Sequence, residues 1–390
     1  MTVDLLTVKQ EIRRILPEIV SLRRHLHAHP ELSLEEHGTA AFIREKLSAA
    51  GIAALAPYLQ TDVVAVIAGQ GDGRNVTLRA DIDALPVCEA PGHPHRSLRE
   101  GVMHACGHDG HTAMLVGAAL VLNGLRDRFC GSVRCVFQPG EENVAAGKDL
   151  VVAGVLRDPE PDGILALHAW PGYPAGTIVA RPGPMMAAAD IFSLTIKGEG
   201  GHGSRPECAV DPILTATRVI DCLYQIPRRI GALDPVVITV CAIQGGSNAN
   251  AIPDEVFLQG SARYTSHEAG ARLPELVEGA IRIECERAGA TYDLNYRRPY
   301  PPTINDERIV AVCKEMWLSQ GGPEGWLDLP RPSMGAEDFA YYLVAHPGAM
   351  FFLGNGEDSA QLHSNCFDFN DDALEAGVLF FVLGALTLLQ

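Results

Sequence analysis

The nine residues Met103–His111, MHACGHDGH, bring His104, Cys106, His108, Asp109 and His111 close together. Thiolate, imidazole and carboxylate make a borderline-soft donor set that suits zinc and accepts cobalt, nickel or manganese. Gly107 and Gly110 predict that no helix runs through this stretch, and in an extended backbone Cys106 and His108, at i and i+2, point to the same side. Asp109 falls where the N-cap of a following helix, HTAMLVGAAL, would lie. Farther along, Glu141 and Glu142 are adjacent carboxylates. Successive side chains project in different directions, so one can hold a cation while its neighbour moves a proton. Asp81, Asp83, His168 and His363 complete the candidates. His104 and His111 read first as packing or supporting residues. The histidines of RRHLHAHP (His25, His27 and His29) read as structural, on a helix end beside Arg23 and Arg24.

The elements around these residues explain how they could converge. Residues 4–27 and 36–50 carry helical apolar spacing, and Gly51 closes the second helix. The short apolar runs DVVAVIAG, NVTLRA, SVRCVFQP and GILALHAW follow, with HTAMLVGAALVLNGL between the middle two as a crossover helix. This pattern predicts an α/β fold with a mostly parallel sheet. Asp81 and Asp83 follow NVTLRA, Glu141 and Glu142 follow SVRCVFQP, His168 follows GILAL, and His363 comes after AMFFLG. Each therefore sits at or beyond the C-terminal end of a strand, where an open parallel sheet binds its ligands. Near Pro182–Pro184 the rhythm changes to βαββαβ, a ferredoxin-like arrangement in one copy. The expected organisation is a discontinuous first domain, residues 1–184 and 299–390, with a second domain, 185–298, inserted into it. The run GEGGHG, Gly198–Gly203, matches GxGxxG, but it opens the βαββαβ segment rather than a parallel βαβ unit. It is read as a flexible loop presenting His202 and not as a nucleotide site.

Composition narrows the function classes. The chain has 390 residues, 47% of them hydrophobic, and a formal net charge of −17. That charge, with no basic patch, excludes nucleic acid and anionic membrane as main partners. No apolar run reaches the ~20 residues of a membrane span, and the last stretch, GVLFFVLGALTLLQ, is expected to be a buried helix. The opening MTVD lacks a signal-peptide layout. Ten scattered cysteines without a CxxC pair point to a reducing compartment, so the cytoplasm is expected.

In order along the chain, RRHLHAHPELSLEEHGTAAFI, LRADIDALPV, MHACGHDGHTAMLVGAA, FQPGEE, GGHGSRP, GGSNANAIPD and MGAEDFAYY, with Leu362-His363, resemble the peptidase M20 family in its aminoacylase/amidohydrolase branch. That branch holds hippurate hydrolases, N-acyl-amino-acid deacetylases and auxin-conjugate hydrolases. The resemblance implies two divalent metal ions per subunit (Zn, Mn, Co or Ni) held by Cys106, His108, Glu142, His168 and His363. It implies Glu141 as general base, Asp83 as an orienting group and Asp81 as a supporting one. The inserted domain would be a lid and a dimer interface, giving a homodimer or a homotetramer. His202 would reach the partner's site and stabilise the oxyanion, and Asn250, Arg263 and Gly335 would bind substrate. Where many relatives carry His-x-Asp, this chain has Asp81-Ile82-Asp83, and Cys106 compensates for the missing histidine.

The activity so implied is hydrolysis of the amide in small-molecule N-acyl (acetyl, benzoyl or similar) amino acids. A dipeptidase or aminopeptidase, a Cys106 nucleophile and a non-catalytic metal or amino-acid binder are the alternatives.

Overall fold

Helix α1, Leu5–Ala28, buries Val8, Ile12, Ile15, Ile19, Leu22 and Leu26, the three-and-four spacing of a single apolar stripe. Asp4 caps it, its carboxylate accepting the N–H groups of Leu6 and Thr7. The computed structural model describes residues 4–231, 235–320 and 325–390, so the Met1–Val3 opening lies outside it. These residues form two compact units. Unit 1 falls within residues 1–183, 304–331 and 338–390, and unit 2 within residues 184–303 and 332–337, each taken over its described residues.

In unit 1, α1 is followed by α2 (His37–Ala49), β1 (Val63–Ala68), β2 (Asn75–Asp81), α3 (His108–Gly124), β3 (Ser132–Gln138), α4 (Glu141–Val144), α5 (Ala146–Ala153), β4 (Gly163–Trp170) and β5 (Ile178–Ala180). β2 runs parallel to both β3 and β4, and β4 runs parallel to the later strand Gly348–Gly354. β1 joins β3 antiparallel at one side, and β5 joins Gly348–Gly354 antiparallel at the other. The central strands are almost wholly buried, which is why they read as unbroken apolar runs rather than alternating ones. This is the expected α/β fold with a parallel-rich sheet. Helix α3 packs against α1 and the C-terminal helix Leu374–Leu388, which is buried nearly all round. No helix among the described residues is long and apolar enough to cross a membrane.

Unit 2 contains strands Ala188–Lys197, Val236–Gly245, Glu255–Tyr264 and Thr291–Tyr300, with helices Pro212–Ile230 and His267–Ala288. The strands form one antiparallel sheet in which Thr291–Tyr300 and Glu255–Tyr264 flank Ala188–Lys197, and Val236–Gly245 is the outer partner of Glu255–Tyr264. Numbered along the chain, the spatial order is 4-1-3-2, the ferredoxin-like order predicted by the βαββαβ rhythm. Phe192, Leu194 and Ile196 meet Val219, Leu223, Leu273, Val277 and Ile281 in its core. The glycine run is not a free loop: Gly201–His202 pairs antiparallel with Ala251–Ile252, and the Gly200 N–H donates to Asp254 at 2.9 Å.

Candidate metal centre

Because β3, β2, β4 and Gly348–Gly354 lie side by side and parallel, their C-terminal ends open on one edge of unit 1. β2 delivers Asp81 and, two residues on, Asp83. β3 ends at Gln138, and the Pro139-Gly140 turn leads to Glu141 and Glu142 in α4. His168 lies within β4, and His363 follows the last of these strands.

Cys106 and His108 reach this edge from the start of α3, where the structure corrects two expectations. The segment is not extended. Gly107 is the residue before the helix, with φ 85°, a left-handed conformation that glycine adopts without penalty, and His108 is the first helical residue. Nor does Asp109 cap the helix. It lies in the first turn, fully buried, 3.1 Å from Arg23 Nε and 2.8 Å from His27 Nδ1 on α1.

Cys106 Sγ lies 3.4 Å from His168 Nε2, while His168 Nδ1 donates to the Ala169 carbonyl at 2.7 Å. The Nε2 lone pair of His168 therefore faces the thiol. His108 Nδ1 is 3.2 Å from Asp83 Oδ1, and its Nε2 is buried without a hydrogen-bond partner, 3.9 Å from Glu142 Oε1. His363 Nε2 is 3.3 Å from the same Glu142 oxygen. The donor atoms of Cys106, His108 and His168 lie within 4.8 Å of one another, as do those of Cys106, Glu142 and His363, and those of His108, Glu141 and Glu142. Donors sharing one tetrahedral ion at ~2.0–2.3 Å are separated by about 3.3–3.6 Å, so the 3.4 Å thiol–imidazole spacing fits a shared ion. The orphaned His108 Nε2 fits as well, because buried polar atoms rarely lack a partner. His363 holds φ 65°, unusual outside glycine, and its N–H donates to the Ala105 carbonyl at 2.8 Å.

The titration behaviour points the same way. Burial, and then the charges of Glu142, Glu141 and Asp81, push the Cys106 thiol well above its usual range. Burial disfavours a charged His108, yet Asp81, Asp83 and Glu142 outweigh it and raise its pKa to about 10. Burial holds His168 well below its ordinary value. Carboxylates outnumber cations here, a balance that a divalent ion would reverse.

The remaining candidates in this unit have defined places. Asp83 is buried, accepts the Ser33 hydroxyl at 2.7 Å and the Glu142 N–H at 3.1 Å, and so joins His108 to the glutamate turn. Asp81 Oδ1 is 2.6 Å from His111 Nδ1, and His111 Nε2 accepts the Ala169 N–H at 2.7 Å. Both nitrogens of His111 are thus occupied, and it supports Asp81 instead of offering a free donor. His104 is fully buried with neither nitrogen partnered, and burial lowers its pKa to about 4.

Several residues of the site escaped the sequence reading. Arg79 donates to Asp81 at 2.7 Å, to Gln138 at 3.0 Å and to Asp338 at 2.8 Å, all buried. Gln138 Nε2 and the Gly147 N–H also donate to Asp338, each at 2.8 Å. Glu36 accepts the Gly140 N–H at 3.0 Å just before the paired glutamates, and burial pushes its carboxyl up to about 7. The usable signal was an arginine inside the apolar strand NVTLRA, since a central strand tolerates a charge only when it is paired.

The other candidates belong to unit 2. His202 is exposed, its Nδ1 2.8 Å from the Ser204 hydroxyl, and the next residue's N–H donates to the Asn250 carbonyl at 2.8 Å. Arg263 is half-buried and donates to the Met334 carbonyl at 3.4 Å, beside Gly335, whose N–H donates to Ser333 Oγ at 3.1 Å. Cys106, His108, Glu141, Glu142, His168, His363 and Asp83 therefore come together within unit 1. Within unit 2, His202 comes beside Asn250, and Arg263 beside Gly335.

Residues 77–386 match the model of Peptidase family M20/M25/M40. An N-acetyl-L-cysteine deacetylase of Bacillus subtilis is 36% identical over 99% of this chain and 93% of its own length. Thermostable carboxypeptidase 1 of Saccharolobus solfataricus is 34% identical over 96% of each. A solved Bacillus subtilis structure, described as a dinuclear metal-binding peptidase from the M20 family, superposes with a TM-score of 0.86 at 33% identity, covering 97% of this chain and 99% of that one.

Proposed function

The chain belongs to peptidase family M20/M25/M40, and on that premise we propose that this hydrolase cleaves the amide of N-acyl amino acids, releasing a carboxylic acid and a free amino acid. The observation that carries the reading is the convergence of Cys106, His108, Glu142, His168 and His363 around the orphaned His108 nitrogen, with Glu141 at their edge. In this reading those residues hold two divalent ions, zinc, manganese, cobalt or nickel. Such ions supply Lewis-acid polarisation of a carbonyl and lower the pKa of water.

The chain's own groups divide the remaining work. Glu141, 6% exposed, takes a proton from water and returns it to the leaving amine. Asp83 holds His108 through Nδ1, keeping Nε2 as the free donor. Cys106 acts as a ligand rather than a nucleophile, because burial and the surrounding carboxylates keep its thiol protonated unless a cation is present. His202 serves the developing oxyanion, while Asn250, Arg263 and Gly335 serve the substrate's carboxylate end. The working assembly is a homodimer through unit 2. Light scattering at several concentrations reads its mass, and a monomer would dispose of that part.

The deacetylase relative favours an acyl amino acid, and the carboxypeptidase relative favours a peptide with a free C-terminus. Amino-acid release from N-acetyl, N-benzoyl, longer N-acyl and dipeptide substrates, with each metal and with chelator, separates the two. Metal-dependent release from one acyl class supports the proposal. Cleavage of dipeptides alone would replace it with a peptidase.

A further inference from the structure

A second set of imidazoles lies in unit 1 and shares no residue with the candidate centre. His93 and His95, from GHPHRS, stack with ring centroids 5.3 Å apart and turn toward Asp368. His93 Nδ1 is 3.3 Å and His95 Nε2 is 3.1 Å from Asp368 Oδ2. The three donor atoms lie within 4.8 Å of one another. Both measured separations are near the ~3.3 Å expected between nitrogen and oxygen donors on one tetrahedral ion.

The hydrogen bonding at His95 is frustrated. Its Nε2 faces a donor, Arg23 NH1 at 2.9 Å, and an acceptor, the Asp368 carboxylate, while its buried Nδ1 has no partner. A protonated Nε2 opposes the arginine, and a bare one opposes the carboxylate. Arg23 also answers Asp109 at 3.1 Å and Asp371 at 3.6 Å and bonds Asp368 through Oδ1, which His95 Nε2 reaches at 3.2 Å as well, while Oδ2 is the oxygen that both imidazoles approach. Beside the cluster, a cavity of about 630 Å³ is lined by Glu357, Asp358 and Asp372, by Asp371 paired with Arg24 at 2.8 Å, and by His95 and Asp368. Carboxylates around a concave surface raise the local concentration of cations, and the cavity gives water room to complete a coordination shell.

We infer that His93, His95 and Asp368 form an additional divalent metal site that takes zinc or a similar borderline transition ion in preference to magnesium or calcium. Two imidazoles and one carboxylate select against the all-oxygen preference of the hard cations. The neighbouring guanidinium weakens the site, so it fills only after any higher-affinity centre in the chain. An ion there ties the 93–95 turn to the segment that carries His363, five residues before Asp368.

The test is zinc binding by the full chain, read by elemental analysis after equilibrium dialysis over a range of free zinc. Wild type, His93→Ala and the double variant His93→Gln/His95→Gln are compared. Wild type should bind one more zinc per chain than the double variant. His93→Ala should weaken that last ion at least about tenfold, the size of loss seen when even a supporting group is removed. Added zinc should also raise the Tm of wild type at concentrations where it leaves the double variant unmoved. Equal stoichiometry and affinity in all three proteins would overturn the inference. If the double variant does not fold, His93→Ala decides alone, because the His93 side chain is one-third exposed and its loss leaves the Arg23 pairs in place. The readout is a difference between chains, so it stands whether or not Cys106 and its neighbours bind zinc.

Discussion

His27 has a carboxylate at each ring nitrogen: Asp109 Oδ2 is 2.8 Å from Nδ1, and Glu89 Oε1 is 3.2 Å from Nε2. A neutral imidazole has one N–H and one lone pair, and would set that lone pair against a carboxylate at one end. The imidazolium donates at both. The ring is fully buried, and burial opposes the charge, but Asp109 and Glu89 outweigh burial and the nearby Arg23 and raise the pKa from 6.5 to about 9. A base whose pKa rises on folding contributes its full stabilisation below the unfolded value and loses it as pH climbs through the folded value. The interval from 6.5 to about 9 corresponds to about 3 kcal/mol, present at pH 6 and gone by pH 10. Histidine-selective ¹⁵N labelling, with His27→Gln to assign the resonances, reads the charge directly: both nitrogens should stay protonated through pH 8. In parallel, the denaturation midpoint of wild type relative to His27→Gln should fall between pH 7 and pH 10. A His27 ring that titrates at or below 6.5, or a midpoint difference flat with pH, would refute the reasoning.

Glu141→Gln should keep the fold and the metal content while lowering turnover about 10²- to 10⁴-fold, measured as amino-acid release alongside elemental analysis; near-normal turnover would remove Glu141 from proton transfer. Zinc added to the metal-free protein in weak buffer at pH 7 should release a proton that Cys106→Ala does not, because the Cys106 thiol is held protonated until a cation arrives. Arg79→Met should destabilise by about 3–5 kcal/mol or prevent folding, because it leaves Asp81 and Asp338 buried without their shared cation. Thermal melts of that variant beside Asp338→Asn would show whether the charge or the packing is lost.

The parts of this molecule that were legible in sequence are those fixed by periodicity. Continuous apolar runs gave the buried parallel strands, and their C-terminal ends located Asp81, Asp83, Glu141, Glu142 and His168 without reference to any relative. The βαββαβ rhythm likewise gave the sheet order of unit 2. What periodicity could not supply was side-chain direction. Asp109 was misread because a helix start is set by φ at one residue, Gly107, and the capping preference of aspartate was a poorer guide than the buried Arg23 and His27 waiting for it. Arg79 and Asp338 lie far apart in the chain and meet only because β2 passes beside the segment after Arg331, a long-range pairing with no local signature. The reading of His25, His27 and His29 as structural did not separate their surroundings: His25 and His29 stack on each other near the surface, whereas His27 is buried between Asp109 and Glu89.

Five buried histidines of unit 1 differ in chemistry because each has different neighbours at its two nitrogens. His27 has two carboxylates and is driven to the imidazolium. His111 has a carboxylate at one end and an amide N–H at the other, so it is neutral and closed. His104 has neither, and burial keeps it uncharged. His108 and His168 each have one nitrogen fixed, by Asp83 and by the Ala169 carbonyl, and the other aimed at Glu142 and at Cys106. Among these five, only this last arrangement aims one nitrogen at the other candidate ligands, where an ion can displace the proton of His108 or the thiol contact of His168. The proposed assignment of His108 and His168, and the exclusion of His104 and His111 from the same motif, therefore rests on which nitrogen is already spoken for. Substituting Asp83 should accordingly weaken metal binding without removing a ligand, because His108 would be free to turn its other nitrogen inward.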